Sequence, residues 1–124
     1  METTIYYPEQ HPGVTVVEVH GDVEAGECGS EVLCRLINSA IAGGDRWLVV
    51  DLAQVGRMAE EAVAQLLAVY GRLRLRGGEM LVVSPPGELL RLLNTVGLGK
   101  LTLILDDLDT AVQQAALRAG ADSE

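Results

Sequence analysis

The run Trp47-Leu48-Val49-Val50-Asp51-Leu52 constrains the fold of this chain more than any other stretch, because five of its six side chains are apolar and they do not alternate with polar ones. A half-exposed strand alternates, whereas an unbroken apolar run suits a strand covered on both faces. Helices must then flank it. Met80-Leu81-Val82-Val83 has the same character, and two such strands joined by a helical segment predict a parallel pair with a right-handed crossover.

The remaining segments fit around that pair. Val14-Thr15-Val16-Val17-Glu18-Val19-His20 is rich in β-branched residues, follows the Pro12-Gly13 turn and ends at Gly21, so it reads as a strand, with a short one around Ile5 to Tyr7 as its hairpin partner. From Glu24 to Ala42 the spacing of Leu33, Leu36, Ile37, Ala40 and Ile41 is helical, and Gly43-Gly44 ends it. Val63, Leu66, Leu67, Tyr70 and Leu73 predict a second helix from about Glu60 to Arg76, stopped by Gly77-Gly78. Pro85-Pro86 closes the Met80 strand and opens a helix carrying Leu89, Leu90, Leu92, Leu93 and Val96, which Gly97 ends. Leu101 to Leu105 is predicted as the last strand, and Asp106-Asp107 as the cap of a final helix with Leu108, Ala111, Val112, Ala115 and Ala116 inward. The expectation is an α/β fold: one domain over 1–124, a mixed four- to five-stranded sheet, about four helices (three longer, one short), a core at about 14–118 and a frayed tail at 119–124.

Composition narrows the function. Nine basic against eighteen acidic residues give a net charge of −9, which repels phosphate backbones and anionic lipid surfaces, so no nucleic-acid partner and no membrane insertion are expected. The start Met-Glu-Thr-Thr-Ile-Tyr-Tyr lacks the pattern of a signal peptide, and no apolar stretch reaches the ~20 residues that span a bilayer, so a cytoplasmic location is expected. Cys28 and Cys34 fall in one helical pattern six residues apart, on different sides, too awkward for a bridge or paired metal ligation. His11 and His20 are the only histidines, and both Gly-Gly pairs follow helices, whereas a phosphate loop precedes one. Asp106, Asp107 and Asp109 suit a helix start as well as a cation. No catalytic residue, metal site or cofactor is expected.

One segment carries more information than its periodicity. Asp51-Leu52-Ala53-Gln54-Val55-Gly56-Arg57-Met58-Ala59-Glu60-Glu61-Ala62 resembles the central signature of STAS domains, a strand ending in V-x-D-L-x-x-V, a short loop with an apolar residue, then D-S-S-G or D-T-x-G opening a helix. Gly21-Asp22-Val23-Glu24 resembles the G-x-L-D of that family, Arg76-Gly77-Gly78-Glu79-Met80-Leu81-Val82-Val83 its R-G-G-x-L-x-L-V, and Leu92-Leu93-Asn94-Thr95-Val96-Gly97-Leu98 its L-x-x-T-G-L with Val96 interposed. The similarity runs from about Val14 to Leu117 in the family's order. It implies a non-catalytic protein-interaction module like an anti-sigma factor antagonist, whose partner is an anti-sigma factor with a kinase fold or a related regulatory protein.

The departure from the pattern is as informative. Ala59, Glu60, Glu61 and Ala62 stand where D-S-S-G would, so the hydroxyl that the resemblance implies as the phosphorylation switch is missing. Glu60 and Glu61 admit two explanations: acids stabilised by the positive end of a helix, or, for Glu60, a permanent imitation of a phosphorylated serine with less charge. The expected docking surface is the loop and helix start Arg57, Met58, Ala59, Glu60, Glu61 and Ala62, flanked by Gly21, Asp22 and Glu24, with Met58 offering apolar contact at the loop tip and Arg57 a fork for a carboxylate. The resemblance leaves two rivals: a soluble STAS subunit of a membrane lipid-transport complex, and a structural subunit of a larger signalling assembly, which would show as a homo-oligomer.

Overall fold

The computed structural model describes residues 1–122. In chain order it holds β1 (Glu2–Tyr6), β2 (Val14–His20), α1 (Ser30–Ala42), β3 (Trp47–Gln54), α2 (Glu60–Leu75), β4 (Glu79–Val83), α3 (Glu88–Thr95), α4 (Leu98–Leu101), β5 (Ile104–Leu105) and α5 (Leu108–Asp122). The sheet order is β1-β2-β3-β4-β5. β1 pairs antiparallel with β2, and every later pair is parallel, including Leu48 with Met80 and Val50 with Val82.

Because the parallel strands advance in one direction across the sheet, right-handed crossovers bring α1, α2 and the α3–α4 pair onto one face. The larger core cluster lies there, with Val17, Val19, Leu48, Val50 and Leu52 from the strands beneath Leu33, Ile37, Leu66, Leu73, Leu93 and Leu98. α5 follows the last strand and covers the other face, where Val14, Val16, Val49, Leu81 and Val83 meet Ala111, Val112 and Ala115. The unbroken apolar run of β3 is thus covered on both sides. Asp107 opens α5 as a cap: its Oδ2 accepts the Thr110 N–H at 2.8 Å and the Thr110 hydroxyl at 2.7 Å, which holds its carboxyl below the usual carboxylate range.

Three expectations are corrected. The first helix begins at Ser30, not Glu24, because Gly26 at φ 93° and the packing of Gly29 onto the Glu24 backbone turn residues 24–29 into a loop. Cys28 therefore lies exposed in that loop, and Cys34 alone is helical. The strand expected at Leu101 to Leu105 shrinks to Ile104–Leu105, since Gly97 at φ 91° starts the extra helix α4, which buries Leu98 while Leu101 and Leu103 stay exposed. The helices thus number five among the described residues. α5 continues to Asp122, beyond Gly120, where fraying was expected; residues 123–124 of that tail lie outside the described residues.

Candidate functional site

In a parallel sheet every strand-to-helix loop leaves from the same end, so the turn after β2 and the loop after β3 emerge side by side. The pairing of β2 with β3 shifts register there: Glu18 faces Asp51, but His20 faces Gln54. Such a bulge leaves an amide outside the ladder. Here the buried Asp51 takes one up, its Oδ1 accepting the Ala53 N–H at 3.0 Å. Val55 folds back through its N–H to the Leu52 carbonyl at 3.0 Å, and the chain turns through Gly56 towards α2.

The two loops are then zipped together. Gly21 N–H donates to the Gln54 carbonyl at 3.1 Å, Val23 N–H to the Arg57 carbonyl at 2.9 Å, and Ala59 N–H to the Val23 carbonyl at 2.8 Å, which makes Val23 and Met58 an isolated parallel bridge. Asp22 adds a side-chain tie, its Oδ1 accepting the Arg57 N–H at 3.0 Å. Gly56 leaves room for that carboxylate, since a Cβ there would stand 2.9 Å from the same oxygen. Glu24 passes the connection on to α1 through its carbonyl, which accepts the Ser30 N–H at 2.7 Å.

Of the nine residues expected at the surface, Gly21, Asp22, Glu24, Arg57, Glu60 and Glu61 are exposed and Ala59 is partly so. Met58 and Ala62 are corrected: they are 7% and 1% exposed and belong to the core beneath the helices. The bridge to Val23 turns Met58 inward, and the first turn of α2 directs Ala62 onto the sheet. The Arg57 guanidinium makes no ion pair among the described residues, and the four acids of the set, Asp22, Glu24, Glu60 and Glu61, are exposed. Beyond the expected set, a hollow of about 190 Å³ lies between Gly56, Arg57 and Met58 and the start of α3 at Glu88, Leu89 and Leu92. Pro85-Pro86 was the signal for it, because a helix opening after β4 must start at the same end of the sheet. Among the described residues no group of three or more His, Cys, Asp or Glu could hold a metal ion, and no helix is long and apolar enough to cross a membrane.

Residues 8–106 match the family model described as "Mlab, STAS domain". The chain belongs to the STAS domain family. Solved STAS structures agree. An anti-sigma factor antagonist from Mycobacterium paratuberculosis superposes with a TM-score of 0.80 at 25% identity, covering 92% of each chain. A serine-to-glutamate variant of RsbS from Moorella thermoacetica gives 0.77 at 15% identity, over 96% of this chain and 98% of that one. The phosphorylated form of the Bacillus cell fate determinant SpoIIAA gives 0.69 at 15% identity, over 91% and 98%. The last two bear on the fold alone. No curated protein matches the chain in sequence.

The STAS pattern has Asp where this chain has Ala59, and the geometry gives that difference a consequence. Ala59 is the N-cap of α2, with φ −63° and ψ 144°, and supplies no side-chain hydrogen bond. A hydroxyl at such a position reaches an otherwise unmet amide of the first turn and stabilises by about 1 kcal/mol. Ala59→Ser is therefore expected to raise the melting temperature by roughly 4 °C. An unchanged melting curve would mean that the first turn is already satisfied by solvent.

Proposed function

We propose that this STAS domain is a non-catalytic docking module of the anti-sigma factor antagonist type, working in the cytoplasm and not switched by phosphorylation at the family position. The supporting observation is the exposure of Arg57, Glu60 and Glu61 on a zipped pair of loops, where the STAS pattern has its hydroxyl and the loop 57–62 has no Ser, Thr or Tyr. Such a loop offers a kinase no hydroxyl to modify. The partner is an anti-sigma factor with a kinase fold or a related regulatory protein, and the carboxylates of Asp22, Glu24, Glu60 and Glu61 suit a basic patch on it.

A pull-down from the source cell identifies the partner, and two variants then test the surface. Glu60→Ala with Glu61→Ala is expected to weaken binding about tenfold, while changing stability by less than ~1 kcal/mol, because both side chains are exposed at a helix start. Glu60→Ser distinguishes the two roles of that acid: tighter binding to a kinase-fold partner marks Glu60 as an imitation of phosphoserine, and weaker binding marks it as an attractive contact. Unchanged affinity in both variants removes this surface from the proposal. Retention of a transporter ATPase supports the lipid-transport subunit instead, and a large homo-oligomer the structural one.

A further inference from the structure

β5 is the last strand of the sheet, so its outer edge is open. Val82 N–H donates to the Leu103 carbonyl at 3.1 Å and Ser84 N–H to the Leu105 carbonyl at 2.9 Å, so the backbone groups of Leu103 and Leu105 point at β4. Those directions alternate along a strand. The N–H and C=O of Ile104 therefore point away from the sheet, and neither has a partner among the described residues. Thr102 fixes the segment from the inner side, being buried with its hydroxyl donating to the Met80 carbonyl. A hollow of about 300 Å³ lined by Pro86, Leu90, Ile104 and Leu105 lies along the same edge.

Open edges invite pairing, and sheets guard them with charge, proline or a bulge. The opposite edge follows that rule, since β1 leaves Glu2 and Thr4 exposed. β5 does not. Leu101-Thr102-Leu103-Ile104-Leu105 holds no charge, proline or glycine, and Leu101 and Leu103 are 53% and 38% exposed. The charges stand at the two ends of this segment and are opposite, Lys100 before it and Asp106-Asp107 after it, all exposed. An antiparallel neighbour of the same sequence brings lysine to aspartate at both ends, whereas a parallel one stacks like on like. That self-complementarity identifies the neighbour as a second copy of this chain.

We propose that two copies join edge to edge through β5, antiparallel about a two-fold axis at Ile104, making a single sheet from the two five-stranded ones. Each Ile104 N–H donates to the Ile104 carbonyl of the other copy. Leu103 of each copy lies opposite Leu105 of the other on the face that α5 covers, and Lys100 approaches Asp106 and Asp107 of the other copy. Such a contact is isologous and closes at two copies. A short ladder with a few leucines falls below the standard interface size, so the dimer is weak and reversible. The axis stands perpendicular to the sheet, so the two 57–62 loops leave from opposite ends and stay exposed; the dimer goes beyond the docking reading and does not rest on it.

Sedimentation equilibrium of the full chain over about 5–500 µM tests it, with a monomer passing to a dimer at a Kd on the order of 50 µM as the expected result. Across that range the Ile104 amide should exchange with solvent about fourfold more slowly at the concentrated end, while the amides of β1 are unaffected. Leu103→Lys sets like charges against each other at the edge and should weaken the dimer by about tenfold or more, with little change in the melting temperature of dilute protein. Lys100→Glu should weaken it by about threefold, and adding Asp106→Lys should restore it, which keeps the test decisive if Leu103→Lys melts lower. A monomer throughout, association beyond two copies, a dimer that Leu103→Lys leaves intact, or a charge exchange without recovery would overturn the proposal. None of these variants touches the 57–62 loop, so a failure of docking leaves the outcomes unchanged.

Discussion

Gly29→Ala is expected to destabilise the protein by about 3 kcal/mol, at the upper end of the usual cost of overpacking. A Cβ at this position would lie 2.1 Å from the Glu24 carbonyl oxygen, 2.8 Å from its carbon and 2.9 Å from its nitrogen. All three are backbone atoms, so no side chain can swing aside. Relief requires the 24–29 loop to move, which strains the bond between the Glu24 carbonyl and Ser30 N–H and loosens the turn facing Arg57. Urea unfolding should show a lower midpoint with an unchanged slope, and partner binding should fall with it. Gly71→Ala is the internal control: Gly71 lies inside α2 with open space around its missing Cβ, so the same substitution should stabilise by up to ~1 kcal/mol. Like effects at the two sites would refute the close-approach account.

Met58→Ala is expected to cost about 2–3 kcal/mol, the range for truncating a buried methionine. An exposed contact at a loop tip would cost under ~0.5 kcal/mol, so thermal melting separates the two assignments of this residue. Met58 packs with Val23 under the zipped loops, and its loss leaves a void beneath the surface that carries Arg57, Glu60 and Glu61. Met58→Leu keeps most of the volume and should cost less than ~1.5 kcal/mol. If Met58→Ala melts like the unsubstituted protein yet loses binding, the side chain is a direct partner contact and its burial in the free protein is transient.

Much of the fold was legible because it rests on local periodicity. Trp47 to Leu52 and Met80 to Val83 declared buried strands by composition alone, and the glycines after α1 and α2 marked where each helix had to stop. The order of elements then implied right-handed crossovers between parallel strands, and the STAS motifs located the loop 57–62. The failures cluster where local sequence carries no period. Residues 24–29 continue into a helical pattern, but a contact between Gly29 and Glu24 bends them away from it. Leu101 and Leu103 read as strand residues, yet the need to bury Leu98 turns the preceding stretch into α4.

By itself the sequence determined that this chain forms a parallel-strand α/β domain of the STAS pattern, that its exposed helix start is acidic, and that it lacks the family hydroxyl. Those properties depend on residue type and on spacing within one element. Only the tertiary structure decided that Met58 and Ala62 face inward, that Asp22 holds Arg57 across 35 residues of chain, that α3 borders the loop at Gly56, Arg57 and Met58, and that a groove opens between α1 and α2. Each of these depends on what a second element brings to the first, and a periodic pattern records which side of an element is apolar without recording what will cover it.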